Sequence, residues 1–212
     1  MEAARDAMKS FRTEVEHRVG REIERIFLEC PDSVEARLEN FPKYVRRQHL
    51  KRFLAMYEIF KEVLKVKRSV VDCGVYRGFS LMTWAKLSTI LEPENLIRRI
   101  YGFDTFQGFA SVHEKDQAPG SPVGPGELRS DSYHELSQLV EQYDVDRFLG
   151  HIPKVHLIPG DATQTIPEFI RDNQHLVVSL LFSRIMRSRQ KIGVSCGLTC
   201  KRAASRPCYR GG

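Results

Sequence analysis

Long apolar runs are missing from this sequence. The longest nearly unbroken stretch, Leu176 to Phe182, spans seven residues, whereas a helix needs about 20 to cross a bilayer. The charged start, MEAARDAMKSFRTEVEHRV, has no apolar core of the kind a secretory signal carries. Cysteine is sparse and odd in number, at five, which argues against a paired disulfide framework. Cys196, Cys200 and Cys208 follow a C-x3-C-x7-C spacing with no fourth ligand and no nearby histidine, so they read as free thiols rather than a zinc site. Together these absences predict a soluble, cytoplasmic protein with no membrane partner.

Acidic residues are absent from one region only. Residues 184–212 hold eight Lys or Arg and no Asp or Glu, and the rest of the chain carries 25 basic against 27 acidic side chains, so the tail supplies all of the formal charge of +6. A nucleic-acid surface needs basic side chains interleaved with aromatics or set on a recognisable motif. The tail offers neither, and no nucleic-acid partner is expected. The chain is 42% hydrophobic, enough for one domain with a real core.

Within it, Phe11, Val15, Val19, Ile23, Ile26 and Phe27 form a helical stripe that stops near Pro31, where Asp32 or Ser33 can cap a short helix. From Arg46 to Lys67, Leu50, Phe53, Leu54, Tyr57, Phe60, Val63 and Leu64 recur at spacings of three and four, which predicts an amphipathic helix. The pattern then alternates. Short β-type runs at Ser69–Cys73, Ile100–Asp104, Val155–Ile158 and Leu176–Phe182 are separated by helical spacing at Phe79–Leu91, around Tyr133–Tyr143 and around Ile166–Ile170. Such alternation predicts an α/β fold, a parallel sheet with helices on both faces. The expected organisation is an N-terminal helical segment (1–67), a partial α/β domain (68–182) and an aberrant basic tail (183–212). The helical segment can pack on the domain or on a second subunit, so a homo-oligomer stays open. The Gly- and Pro-rich connection between Asp104 and Asp131 has the length of a functional lid.

The chemistry gathers at the ends of these strands. Asp72-Cys73-Gly74-Val75-Tyr76-Arg77-Gly78 closes the first strand and opens a helix, whose unpaired N–H groups favour an anion. Gly74 and Gly78 are expected to let the backbone turn sharply and approach a ligand. A dinucleotide fingerprint would place glycine where Tyr76 stands, so the spacing suits S-adenosylmethionine better than NAD. Asp104 ends the second strand, where a carboxylate can accept from both ribose hydroxyls of a nucleoside. Gly160-Asp161-Ala162 ends the third, where an adenine would lie.

At these residues the chain resembles the macrocin or mycinamicin type of O-methyltransferases, grouped with sugar O-methyltransferases of antibiotic pathways. The resemblance runs from about Phe41 to Leu181 through FPKYVRRQHLKRFLAMYEIFK, VVDCGVYRGFS, YGFDTFQGF, DSYHEL and IPGDATQTIPEF. It implies a Rossmann-like class I methyltransferase sheet, S-adenosylmethionine as cofactor, and a small hydroxylated, sugar-like substrate of secondary metabolism. By the same resemblance Asp72, Cys73, Gly74, Val75, Tyr76 and Ser80 line the methionine end of the cofactor. Asp104 holds its ribose, Asp161 and Ala162 flank its adenine, and Ser132 belongs to the same pocket.

The resemblance also implies Mg2+ on carboxylates that follow the fourth and fifth strands. Here VVSLLF runs into Ser183-Arg184 where Asp is expected, and the later aspartates are missing. No metal ligand and no catalytic residue is therefore assigned. The sheet is expected to be incomplete at its C-terminus, with an exposed last strand and a poorly packed tail, through truncation or a shifted reading frame. The codons of Arg184 to Lys191 read one base back can encode Asp-Tyr-Glu, a further residue and Pro-Thr-Lys. The alternative reading is an inactive cofactor-binding remnant or interaction protein lacking the metal site. His113, His134, His151 and His156 are the remaining acid–base candidates, with His113 and His134 nearest the expected substrate side. Arg77 is a candidate for the cofactor carboxylate, and Trp84 reads as core.

Overall fold

A computed structural model describes residues 13–108 and 132–183. Among the described residues three helices come first: α1 (Glu14–Glu29), α2 (Val34–Glu39) and, after a 3-10 turn at Phe41–Lys43, α3 (Arg47–Val63). A capping box starts α1, with Thr13 Oγ1 accepting from the Glu16 N–H at 3.2 Å and the Thr13 N–H donating to Glu16 Oε2 at 3.0 Å. Ser33, not Asp32, caps α2 by accepting from the Ala36 N–H at 3.1 Å. The α1 stripe buries no residue, leaving Val15 57%, Val19 40% and Ile26 49% exposed. By contrast α3 buries Met56, Phe60 and Val63 in the main core. Leu54, expected on that face, is exposed.

Four strands follow: β1 (Ser69–Cys73), β2 (Ile100–Asp104), β3 (Val155–Pro159) and β4 (Val178–Ser183), with α4 (Phe79–Leu91), α5 (Tyr133–Asp146) and α6 (Ala162–Asp172) between them. The order is β3-β2-β1-β4 and every pair is parallel. Val70, Leu81, Trp84, Leu136 and Val140 share one core with α3. Val71, Cys73, Phe103 and Ile166 form a second core, which covers the other face with α6. Helices thus cover both faces, as the alternating pattern predicts. Gly102 of β2 permits the close approach of α4, since a Cβ there would lie 2.8 Å from Leu81 Cδ1 and 2.9 Å from Val75 Cγ2.

The chain runs from β1 outward to β2 and β3, then returns to place β4 on the opposite side of β1. This reversal opens a crevice at the carboxyl ends of β1 and β4, where open α/β sheets bind ligands. Among the described residues β4 has a single neighbour, and Leu181, paired with Val71 on the α6 face, is 64% exposed. The other end of the sheet is tied by buried cations. Arg98 is fully buried and pairs with Glu92, while also donating to the carbonyls of Val63, Val66 and Arg68 and to Ser179 Oγ. Lys154 donates to the Asn95 carbonyl at 2.9 Å, and its burial pushes its pKa down to about 8.

Candidate functional site

The turn after β1 is held by main-chain bonds to the next strand. The Gly74 N–H donates to the Phe103 carbonyl at 2.9 Å, the Gly78 N–H closes back on the Val75 carbonyl at 3.0 Å, and the Met82 N–H reaches the Gly78 carbonyl at 2.9 Å to begin α4. Gly74, Tyr76 and Gly78 all have positive φ, at 87°, 56° and 82°. Glycine meets this requirement without strain at two of the three positions; a bulky side chain meets it at Tyr76. A Cβ on Gly78 would lie 2.6 Å from Leu136 Cδ1, so the absent side chain makes room for α5.

Asp104 is the hub of the site. Its Oδ2 accepts the Tyr76 N–H at 2.6 Å and its Oδ1 accepts the Phe106 N–H at 2.7 Å. Phe106 is the other non-glycine residue with positive φ among those described, also at 56°. Each left-handed residue of this size costs on the order of 1–3 kcal/mol, and both direct their amides at one carboxylate. Ser132 Oγ donates to the Tyr76 carbonyl at 2.8 Å, and the Tyr133 ring meets the Phe106 ring edge-on at 5.1 Å. The main chain of Asp104 is tied to the next strand tip, its carbonyl accepting the Gly160 N–H at 2.9 Å. The tips of β1, β2 and β3 are thereby locked side by side.

The remaining candidates divide by environment. Asp72 is fully buried at the end of β1, between Gly102 and Phe182 of the flanking strands. The side chains of Cys73 and Val75 belong to the two cores, leaving their main chain to the turn. Burial, and then the Asp72 charge, push the Cys73 thiol up to about 12. Ser80 is fully buried in the first turn of α4, and its Oγ has no hydrogen-bond partner among the described residues. Asp161 caps α6, its Oδ1 accepting from the Thr163 N–H at 2.9 Å and from Thr163 Oγ1 at 2.8 Å, with half-buried Ala162 next to it.

Of the other candidates, Trp84 is fully buried, as expected. Arg77 is exposed and sits over its neighbour's ring, 5.3 Å from the Tyr76 centroid. His134 is exposed on the first turn of α5 and His151 is exposed beyond that helix. His156 stacks on Tyr101 at 5.2 Å on β3, and burial, then Arg99, lower its pKa. His113, the 105–130 connection beyond Gly108, and the basic tail with its cysteines lie outside the described residues. Among the described residues no group of three His, Cys, Asp or Glu is placed to hold a metal ion, and no helix is long and apolar enough to cross a membrane. Sequence reasoning missed Phe106 and Tyr133, because aromatic residues beside a turn carry no signal of left-handed backbone or of a cross-loop contact.

Solved structures with a similar fold include two of one protein. One is calicheamicin methyltransferase CalS11, with a TM-score of 0.76 and 27% identity over 81% of this chain and 68% of that one. The other is apo CalS11, described as a TDP-rhamnose 3'-O-methyltransferase of calicheamicin biosynthesis, with a TM-score of 0.67 and 26% identity over 82% of this chain and 68% of that one. The chain shares the fold of these methyltransferases. No protein-family model and no curated protein matches it. A surface groove of about 490 Å³ is lined by Ile23 and Phe27 of α1, Tyr44, Arg46 and His49, and Phe79 at the start of α4. Phe79 follows Gly78 directly, so the groove adjoins the β1 turn.

Proposed function

We propose that the protein transfers the sulfonium methyl of S-adenosylmethionine to a hydroxyl of a small, sugar-like molecule of secondary metabolism. The single observation that carries this reading is the Asp104 carboxylate, aimed by two backbone N–H groups at the tip of the strand beside the β1 turn. Each of its oxygens keeps a lone pair for a ribose hydroxyl. Asp72, Cys73, Gly74, Val75 and Tyr76 form the methionine side of the pocket, with the orphaned Ser80 hydroxyl as a further polar group. Gly78 sets the turn, and Asp161 and Ala162 border the adenine. The acceptor body occupies the groove beside Phe79, and the activity of CalS11 as a TDP-rhamnose 3'-O-methyltransferase makes a deoxysugar hydroxyl the first acceptor to try.

In the transfer, the acceptor oxygen attacks the methyl carbon in line. The O–C bond forms as the C–S bond breaks, sulfur keeps the electron pair as S-adenosylhomocysteine, and the hydroxyl proton leaves to a base or to solvent. When bound, Mg2+ would supply Lewis-acid activation of that hydroxyl. The described residues do not present a donor set that fits it, so no step is routed through a metal. The sequence at the end of β4, Ser183-Arg184 where Asp is expected, favours one second reading, a cofactor-binding protein without turnover.

Calorimetric titration with S-adenosylmethionine and with NAD separates the cofactor readings: binding of the first alone is expected, and binding of NAD alone would overturn the proposal. Methyl transfer to deoxysugar nucleotides, with and without added Mg2+, separates enzyme from remnant.

A further inference from the structure

Four residues close a ring around Asp104. Tyr76 and Phe106, both left-handed at φ 56°, donate their N–H groups to its two oxygens. The consecutive residues Ser132 and Tyr133 meet them from α5, one through a 2.8 Å hydrogen bond to the Tyr76 carbonyl and the other through ring contact with Phe106. Tyr76 is thus gripped at both of its peptide groups, by Asp104 on one side and Ser132 on the other. These contacts join segments 28 and 56 residues apart in sequence.

From this ring we infer that Ser132 and Tyr133 are positioning residues for the adenosyl pocket. They hold the two strained amides on Asp104, and so fix the direction in which its carboxylate faces a ligand. The inference rests on the S-adenosylmethionine reading above and revises one part of it, because the Ser132 proton is committed to Tyr76 rather than to the cofactor. Without that bond the Tyr76 peptide is free to leave its left-handed conformation, and Oδ2 of Asp104 loses a fixed donor.

The test compares wild type, S132A, S132T and V140A, each as the full chain. Val140 is buried on the same helix away from the ring. Amide hydrogen exchange of the ligand-free proteins is followed by mass spectrometry across 74–78 and 104–107, and S-adenosylhomocysteine affinity is measured by calorimetry. S132A should exchange at Tyr76 and Phe106 about fivefold faster and bind S-adenosylhomocysteine about fivefold more weakly, the scale of one hydrogen bond. S132T should restore both. V140A should lower the unfolding midpoint while leaving those amides at the wild-type rate.

Weaker binding by S132A with unchanged exchange would make Ser132 a ligand contact and overturn the positioning role. Unchanged exchange and unchanged affinity would overturn it as well, as would equal acceleration in V140A. If wild type itself fails to bind S-adenosylhomocysteine, the cofactor reading falls, and the exchange comparison still decides whether the ring exists.

Discussion

Replacing Asp104 by alanine removes the acceptor for two backbone amides at once, so the effect can be worked out before any ligand is considered. A hydrogen bond to a charged group contributes about 1.5–3 kcal/mol. The carboxylate is only partly buried, so the low end applies, and the two bonds together contribute about 3 kcal/mol. Tyr76 and Phe106, still held by Ser132 and Tyr133, relax only in part from left-handed backbone and return on the order of 1 kcal/mol between them, leaving a net loss of about 2 kcal/mol. Trp84 is the sole tryptophan and lies in the main core, so its fluorescence reports global unfolding. With a urea dependence of about 2 kcal/mol per molar, the midpoint should fall by about 1 M. Asp104→Asn, which keeps one acceptor oxygen and turns an amide donor toward the other N–H, should lose at least half as much. A shift under about 0.25 M for Asp104→Ala, with an unchanged slope, would show that the carboxylate does not hold the two amides. Adenosyl affinity of the folded fraction should weaken by a further 1.5–3 kcal/mol, about the range for the lost ribose bonds.

Gly78→Ala should destabilise by about 1–3 kcal/mol through its positive φ and the collision with Leu136, and Leu136→Ala in the same chain should recover part of it; additive losses in the urea midpoint would place the strain elsewhere. Lys154 has a folded pKa of about 8, below its unfolded value of about 10.4, so the unfolded chain binds more protons between these values and stability should rise with pH across that window. Lys154→Met should flatten that rise, and an unchanged slope in pH-dependent urea unfolding would dismiss the buried amine as its source. Cys73, buried and with its thiol held near 12, should resist alkylation at pH 8 until urea unfolds the chain, whereas half-buried Cys30 reacts first; peptide mapping that finds early labelling at Cys73 would contradict its place in the core.

The strands were legible because each is a short run rich in β-branched or aromatic residues with a turn at its end, and the helix after β1 begins and ends where its apolar spacing does. Strand order was not legible, because the same alternation fits several arrangements of a parallel sheet. The site was legible as a set of positions at strand ends and illegible as a mechanism of holding them. Sequence patterns associate positive φ with glycine, and they find it at Gly74 and Gly78. At Tyr76 and Phe106 the conformation is imposed by partners far along the chain, which no local window contains. Gly78 shows the same limit: its conformational freedom was evident, but its neighbour Leu136 comes from a helix 58 residues away.

On the proposed function Asp104 serves two demands with one group, and that joins stability to ligand binding. A carboxylate offers about four lone-pair directions, two of which are taken by backbone amides. A nucleoside that takes the other two bonds to the same atoms that restrain Tyr76 and Phe106, so it gains most from a carboxylate already aimed. Ligand that binds only the folded state adds about 2.7 kcal/mol at a hundred times its dissociation constant. Locally, that gain falls on the tips of β1 and β2, where strain is stored, and not on the opposite end of the sheet, where Arg98 is already satisfied by Glu92 and main-chain carbonyls. The same division explains why bulky residues are tolerated in left-handed backbone here. Their amides are delivered to a fixed point by the strain itself, and a relaxed turn would leave the carboxylate free to rotate.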